Sequence, residues 1–275
     1  MDKNPFMTIQ PYLVLDLGNF CQHVLFENGI SHFFSFSNRS REDVAVPLLA
    51  DGCRNIIFEY RDGTLRTHFI GSLAERRSFS VKGGAEYFGV RLVPGSSFCI
   101  PDLSSKEAVG KVFILDGLDF ARSLCGRMGA QEGFDARVRT FLAGYQPLCT
   151  GQDRKAAARQ ELFRQLAAII VRRRGLLKVS QLEQLSGYTS RYINQIFESE
   201  LGFSAKRMCS TVKLQFLLHD MNRGKEVSLT ELSSAYEFYD QSHFIHEFKE
   251  FAGTTPSQYA KAIVEKDYCG NVRSV

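Results

Sequence analysis

The sequence contains no tryptophan, only seven prolines, and no apolar run that approaches the roughly 20 residues of a membrane-spanning helix. Its seven cysteines never form a C-x-x-C pair, which argues against a zinc site and against a disulfide framework. Residues 1–5 lack the basic start and apolar core of a signal peptide. These absences predict a cytoplasmic protein with reduced thiols and no association with a membrane.

Sequence signatures of catalysis are also missing. The chain has no nucleophile elbow, no phosphate-binding loop, no dinucleotide-binding fingerprint and no H-E-x-x-H motif. His23, His32 and His68 are isolated, and a lone histidine is more often a core or surface residue than a metal ligand. We therefore expect no enzymatic activity, no catalytic residues, no bound metal and no cofactor.

The distribution of charge is more informative than its total. The hydrophobic share of 44% and the charged share of 23% are those of a globular protein, and the net charge is +4. From residue 154 onward there are 18 Lys and Arg against 13 Asp and Glu, so this segment carries the whole positive surplus. A surplus confined to one segment is typical of a module that faces phosphates, although an ordinary solvated surface explains it equally well.

Up to about Pro101 the sequence is typical of β structure. Residues 55–60, 67–71 and 87–92 are rich in β-branched and aromatic side chains, and the turns at 61–63 and 82–84 contain glycine. Short strands at this spacing predict a small β-barrel or sandwich. The 23 phenylalanines of the chain either fill the core of this domain or line an apolar pocket.

From about Gly117 the periodicity is helical. It predicts helices within 118–146, a linker near 144–152, and a strong helix over 154–174 that ends in three arginines and Gly175. The three arginines either complete the end of this helix, where cations are favourable, or bind phosphate. We therefore divide the chain into an N-terminal domain, 1–150, and a C-terminal all-α domain, 151–275.

The segment from Val179 to Tyr259 contains a weak internal repeat. The early positions of the two copies are fifty residues apart, and the later ones, after one inserted residue, are fifty-one apart. The matching pairs are Val179 and Leu229, Leu182 and Leu232, Leu185 and Ala235, Thr189 and Asp240, Ile193 and Phe244, Phe197 and Phe248, Gly202 and Gly253, Ser204 and Thr255, and Met208 and Tyr259. Each copy predicts a short helix, a tight turn and a second helix.

Residues with strong capping preferences support these boundaries. Ser180 with Glu183, and Ser228 with Glu231, match the capping box at the start of each first helix. Thr189 and Asp240 are suitable N-caps for the second helices, and 255–258 combines an N-cap, a proline and a glutamine. The pattern predicts two helix-turn-helix units, at about 179–202 and about 228–252, joined by a linking helix from Ala205 to about Met221. The alternative is a pair of helical hairpins with no role in DNA binding.

The second unit resembles a known family. Its residues 238–244, followed by Phe248-Lys249, Gly253 and 255–259, are similar to the signature of AraC/XylS-type transcription regulators, and 182–218 resembles the first helix-turn-helix of that family. The segments 51–58 and 89–95 are more loosely similar to the regulatory domain of such proteins. The resemblance implies an α+β protein with an N-terminal cupin-like β-barrel, helices at 118–146 that form a homodimer, and a C-terminal domain that binds double-stranded DNA.

The faces of the second helices that lie opposite their apolar residues are the predicted reading surfaces. Arginine can bind guanine, and asparagine or glutamine can bind adenine, through two hydrogen bonds. The predicted DNA-binding residues are Ser190, Arg191, Asn194, Gln195, Gln241, Ser242, Ile245 and His246, with Lys206 and Lys249 placed for phosphate. Compared with the family, Glu237 replaces a glycine of the second turn, and Gln195 and His246 stand where arginine is common.

The sequence thus predicts a DNA-binding regulator whose two recognition helices read adjacent major grooves. RNA polymerase and an unidentified effector, either a small molecule or a protein, are further candidate partners. The rival interpretation is a sensor of a ligand or partner whose helix-turn-helix domain no longer binds DNA effectively.

Overall fold

The computed structural model describes residues 7–96, 98, 100, 102–145, 154–223 and 228–275, except for the side chain at position 120. The predicted α+β organisation is confirmed, since a part rich in strands precedes a helical part. We call residues 7–145 the sheet domain and residues 154–275 the helical domain. The predicted boundary near residue 150 lies outside the described residues. In the described ranges, no helix combines the length and apolar character that crossing a lipid bilayer requires.

The strands and helices of the sheet domain are mostly short. Its strands are β1 (Phe20–Glu27), β2 (Ile30–Ser37), β3 (Val44–Leu48), β4 (Arg54–Arg61), β5 (Thr64–Ile70), β6 (Arg77–Val81), β7 (Glu86–Leu92) and β8 (Val112–Ile114). Its helices are α1 (Pro11–Leu17), α2 (Ser105–Ala108), α3 (Asp119–Gly129) and α4 (Phe134–Gly144). The predicted turn at 61–63 is confirmed as a two-residue hairpin between β4 and β5, in which Asp62 and Gly63 have positive φ angles.

The predicted closure of the strands into a barrel is wrong. In the described residues, seven strands form an open sheet in the order β8-β5-β4-β7-β2-β1-β9, where β9 (Val272–Ser274) comes from the end of the helical domain, and β3 pairs only with β6. All pairs are antiparallel except β1 with β9. Helices α3 and α4 cover one face of this sheet, and α1 with the β3–β6 pair covers the other.

Alternating phenylalanines place both faces of the sheet in a core. On β2, Phe33 points toward α3 and α4, where it packs with Phe141, whereas Phe34 and Phe36 point toward α1 and the β3–β6 pair. Phe58 and Phe88 lie directly opposite each other on β4 and β7, on the same face as Phe33. The five phenylalanine rings on β2, β4 and β7 are 0–2% exposed, so they fill the core of the domain.

The helical domain follows the sequence prediction closely. Its helices are α5 (Arg154–Arg172), α6 (Val179–Ser186), α7 (Ser190–Leu201), α8 (Ala205–Met221), α9 (Leu229–Ala235), α10 (Gln241–Ala252), α11 (Pro256–Glu265) and α12 (Tyr268–Asn271). The linking helix α8 has the predicted bounds and 17 residues. The pairs α6–α7 and α9–α10 are the two predicted helix-turn-helix units.

Three predicted caps are confirmed, and the two predicted capping boxes at the starts of α6 and α9 are wrong. The side chains of Thr189 and Asp240 accept hydrogen bonds from backbone N–H groups in the first turns of α7 and α10, and Thr255 forms a capping box with Gln258. Ser228 is the N-cap of α9 by backbone geometry, but its box with Glu231 is not formed, because the Ser228 side chain makes no capping hydrogen bond. The predicted box of Ser180 with Glu183 is not formed, because α6 begins earlier, at Val179. Lys178 is its N-cap instead, and Gln181 Oε1 accepts from the Lys178 N–H at 2.7 Å.

The two domains share buried contacts. Gln215, in the middle of α8, is fully buried, and its Oε1 accepts from the Ile9 N–H at 2.9 Å while its Nε2 donates to the Ala50 carbonyl at 2.8 Å. Leu49 and Ala50 belong to the same apolar cluster as Leu214 and Leu217 of α8. This cluster also contains side chains of the second helix-turn-helix unit. The domains therefore pack as one body around the linking helix.

Candidate DNA-binding surface

The first recognition helix, α7, buries one face and exposes the other. Ile193 and Phe197 are fully buried against α5 and α8, because their spacing of four residues puts them on the same side of the helix. Arg191 and Gln195 are exposed on the opposite side. Both carry long side chains with several hydrogen-bond donors, which suits them to reading base edges in a major groove.

Two further predicted residues of α7 already have partners inside the protein. The Ser190 hydroxyl donates to the carboxylate of Glu183 on α6. Asn194 donates through Nδ2 to the Ser190 carbonyl at 3.0 Å, and its Oδ1 accepts from the Ala205 N–H at 3.1 Å. Asn194 thereby ties the recognition helix to the first residue of the linking helix.

The second recognition helix, α10, repeats this arrangement. Phe244 and Phe248 are buried, and the predicted residues Gln241, Ser242, Ile245, His246 and Lys249 are all exposed. Ile245, the apolar member of this set, is 43% exposed. Gln241 donates to the Thr230 hydroxyl on α9 at 2.9 Å.

A basic cleft of about 680 Å³ separates the two units. It is lined by Lys178 at the start of α6, by Lys206 and Lys213 of α8, by Arg173, and by Tyr236 and Glu237 of the second turn. Lys206, the predicted phosphate contact, is exposed in the first turn of α8. Lys213 is paired with Glu247, so Arg173, Lys178 and Lys206 against Glu237 leave this cleft an excess of positive charge, which attracts phosphate groups.

Glu237 adopts the backbone conformation that favours glycine, with a φ of 52°. It follows α9 in a Schellman motif, in which the Phe238 N–H donates to the Ser233 carbonyl and the Glu237 N–H donates to the Ser234 carbonyl. Gly187, at the equivalent position of the first unit, has a φ of 75°. The two turns are therefore alike in backbone, although only the first has the expected residue.

One of the three arginines that end α5 has a structural role. Arg174 Nη2 donates to Asp220 and to the Tyr236 hydroxyl, and its guanidinium lies over the Phe216 ring. Burial and the neighbouring Asp220 raise the pKa of Tyr236, so that its hydroxyl stays protonated. Arg174 therefore links the end of α5 to α8 and to the second turn, although its side chain remains partly exposed.

The sequence analysis missed exposed tyrosines beside the recognition helices. Tyr188 and Tyr192 lie together at the first unit, with ring centroids 5.5 Å apart, and Tyr239 is 92% exposed just before α10. A tyrosine ring can contact sugar or thymine methyl groups while its hydroxyl donates to phosphate. Tyrosine counts as apolar in a search for helical periodicity, and this concealed the three residues.

The isolated histidines of the sheet domain have partners in the protein. His68 Nε2 lies 3.1 Å from Glu59 Oε2, His32 Nδ1 lies 3.0 Å from the Ser31 hydroxyl, and His23 Nδ1 lies 2.7 Å from the Val275 carbonyl oxygen. Five cysteines, at positions 21, 53, 125, 209 and 269, are free thiols. Cys99 and Cys149 lie outside the described residues.

Comparison with known proteins supports this geometry. A family model described as a helix-turn-helix domain matches residues 182–262, which span both units, the linking helix and most of α11. A model described as a domain of unknown function, DUF6597, matches residues 25–113 of the sheet domain. No curated protein matches the chain.

Solved structures of ToxT from Vibrio cholerae are similar at low sequence identity. The apo form of a ToxT variant from strain SCE256 is 10% identical with a TM-score of 0.44, and the match covers 86% of this chain and 98% of that one. ToxT with a bound unsaturated fatty acid is 11% identical with a TM-score of 0.38, and the match covers 94% of this chain and 97% of that one.

The match over 182–262 coincides with the two capped units that the repeat predicted and the structure contains. Residues 182–262 of this chain thus form an AraC-type helix-turn-helix domain, and a strand-rich domain precedes it.

Proposed function

We propose that the protein is a sequence-specific, double-stranded DNA-binding transcription regulator that inserts α7 and α10 into adjacent major grooves. The observation that carries this proposal is the repetition: two capped helices of 12 residues each bury an apolar face and expose a polar one. The 17-residue linking helix is about 25 Å long, comparable to the roughly 34 Å of one turn of DNA. In this proposal the protein acts in the cytoplasm and has no enzymatic activity.

Each exposed side chain has a role that follows from its chemistry. Arg191 and Gln195 would read bases in the first groove. Gln241, Ser242 and His246 would donate or accept hydrogen bonds in the second, and Ile245 would contact a thymine methyl group. Lys206 and Lys249 would neutralise phosphates. Ser190 and Asn194, which the sequence placed in the same set, would chiefly hold α7 in position, since their polar groups have partners within the protein.

The test is selection of bound fragments from genomic DNA by the purified protein, followed by affinity measurements over a range of salt. The test variant combines Arg191→Ala with Gln195→Ala, because neither side chain has a hydrogen-bond partner within the described residues. The matched control is Arg39→Ala, which removes one exposed cation from the loop after β2 in the sheet domain, outside the recognition helices and outside α4.

We expect the wild type and the control to enrich a shared motif that the test variant loses. Affinity for that motif should fall steeply with rising salt, because neutralised phosphates release their counterions. If the wild type enriched no shared motif at any salt concentration, the proposed function would be refuted. The sensor interpretation, which the strained Glu237 and the replacements at Gln195 and His246 favour, would then take its place.

Homodimers are part of the proposal, with α4 as the contact. Leu142 of α4 is 37% exposed, whereas Leu124 of α3 is buried against the sheet. Leu142→Glu should therefore convert a dimer to a monomer in the ultracentrifuge without unfolding the domain. Each monomer would read an asymmetric site, and the dimer would read two copies of it. The sheet domain would bind an effector, and the protein would also contact RNA polymerase.

A further inference from the structure

The two recognition helices meet the sheet domain at equivalent positions. The C-cap that follows α7 is Gly202 and the one that follows α10 is Gly253, and these two residues correspond in the internal repeat. A Cβ atom on Gly202 would lie 2.6 Å from the Ser105 carbonyl oxygen, and one on Gly253 would lie 2.8 Å from Arg76 Nη1. Both partners belong to the sheet domain, so this domain closely approaches the C-terminal end of each recognition helix.

At the first helix, the contact is made by Arg54 at the start of β4. Arg54 is buried, and its Nη2 donates to the Glu200 carbonyl in the last turn of α7 at 2.6 Å. Its guanidinium is held inside the sheet domain by the Phe98 carbonyl at 2.9 Å and by the Ser105 hydroxyl at 2.8 Å. The sheet domain therefore presents a buried, hydrogen-bonded cation to the end of α7.

At the second helix, the contact is made by Tyr12 of α1. Its hydroxyl donates to the carbonyl of Ala252, the last residue of α10, at 2.7 Å. Burial and the nearby Asp16 raise the pKa of Tyr12 to about 12, so the hydroxyl remains a donor at neutral pH. Arg76, beside Gly253, brings a cation to this helix end as well.

These contacts fit the electrostatics of a helix end. The last carbonyl groups of a helix lack partners within the helix and carry partial negative charge, so donors and cations stabilise them. The predicted base-reading residues, Arg191 and Gln241 among them, lie in the N-terminal turns of α7 and α10, away from these ends. The sheet domain thus holds both helices at one end and leaves their reading turns exposed.

We propose that the sheet domain is a brace that sets the distance and angle between the two recognition helices, with Arg54 and Tyr12 as its positioning residues. The proposal rests on the proposed DNA-binding function. Without the brace, α8 and the short connections around it would be the main restraint between the two helices. With it, the protein should accept only one spacing between the two half-sites of its DNA.

The test compares Tyr12→Phe with Tyr60→Phe. The first variant removes only the hydroxyl that binds Ala252. The second is a matched control, because the Tyr60 hydroxyl donates to Met128 in the last turn of α3, a helix that does not read DNA. The probe is the duplex most enriched from genomic DNA, together with two derivatives in which one base pair is inserted or removed between the half-sites. Each change moves one half-site by about 3.4 Å and rotates it by about 34°.

We expect wild type and Tyr60→Phe to bind the altered duplexes about tenfold more weakly than the selected one. Tyr12→Phe should bind the selected duplex about fivefold more weakly, the effect of one net hydrogen bond, and should lose most of its preference for spacing. An unchanged preference in Tyr12→Phe, at any affinity, would overturn the brace while leaving DNA binding intact. If the wild type enriches no duplex, the proposed function fails and the brace fails with it.

Discussion

Glu237 stands where the family pattern has glycine, yet its backbone keeps the conformation that glycine favours. A side chain at a positive φ places its Cβ too close to the carbonyl oxygen, at a cost of about 1–2 kcal/mol. The surrounding Schellman hydrogen bonds and the buried Phe238 hold the turn in this conformation nevertheless. The strain is therefore local, and the rest of the second unit offsets it.

Removing that strain should stabilise the protein. We expect Glu237→Gly to raise the free energy of unfolding by about 1 kcal/mol, measured by denaturant titration. The reciprocal change, Gly187→Ala, should lower it by about as much, because nothing lies within 4 Å of a Cβ built there and only the backbone angle opposes the substitution. Equal stabilities for Glu237→Gly and wild type would show that the turn relaxes without cost.

His32 is the residue whose titration bears most directly on stability. It is buried on β2, and burial, followed by the charge of Arg91, holds its pKa well below 6.5. An unfolded chain takes up a proton at this histidine near pH 6.5, whereas the folded protein does not. The contribution of His32 to stability is therefore present above pH 6.5 and is lost as the pH falls toward the lowered pKa.

We expect the free energy of unfolding to decrease by up to about 1.4 kcal/mol per pH unit for this one site below pH 6.5. Denaturant titrations at pH 7.5, 6.5 and 5.5 would measure the slope. His32→Gln should flatten it, because glutamine does not titrate. A wild-type slope in His32→Gln would refute the assignment.

At the scale of elements, the helices could be predicted and the sheet topology could not. Local signals determine the helices: Ile193 and Phe197 are four residues apart, and Thr189 and Asp240 cap their own helices. The open sheet depends on pairings between distant segments, such as β1 with β9 and β4 with β7. Alternation along a strand shows which residues share a face, but it does not show whether the two sheet edges meet.

The linking helix contains a polar residue that its periodicity did not predict. Gln215 lies on the face of α8 that packs against the sheet domain, and both ends of its amide have backbone partners there. A polar group with satisfied hydrogen bonds is tolerated in a core, whereas an orphaned partner is costly. The amide thereby fixes α8 relative to residues 9 and 50.

Replacing this amide should weaken the contact between the domains. We expect Gln215→Met, which has a similar volume, to lower the free energy of unfolding by about 2 kcal/mol because the Ile9 N–H and the Ala50 carbonyl lose their partner. Gln184→Met, on the exposed face of α6, should change it by less than about 0.5 kcal/mol. Denaturant titration of both variants would measure these changes in the free energy of unfolding. Equal changes would mean that the buried amide has no special role.

At the scale of the whole molecule, the two domains are less separate than the sequence suggested. The sequence predicts a linker near 144–152 and two domains that meet at residue 150, yet Ile9 packs on α8 and residues 272–274 extend the sheet. These contacts join positions more than 200 residues apart, so no local pattern reports them. For the same reason, the sequence predicted the exposed reading faces but not the anchoring of the recognition helices by Arg54 and Tyr12.

Shared packing of this kind should make unfolding cooperative. We expect calorimetry of the wild type to give one transition whose calorimetric and van't Hoff enthalpies agree, although two-domain proteins of this size often unfold in steps. The physical reason is that one apolar cluster contains Ile9, Leu49 and Ala50 together with the core of the second helix-turn-helix unit. Gln215→Met should broaden or split the transition, because it loosens this junction without altering the interior of either domain. A single unchanged transition in the variant would mean that apolar packing alone couples the domains, and two transitions in the wild type would mean that they are not coupled.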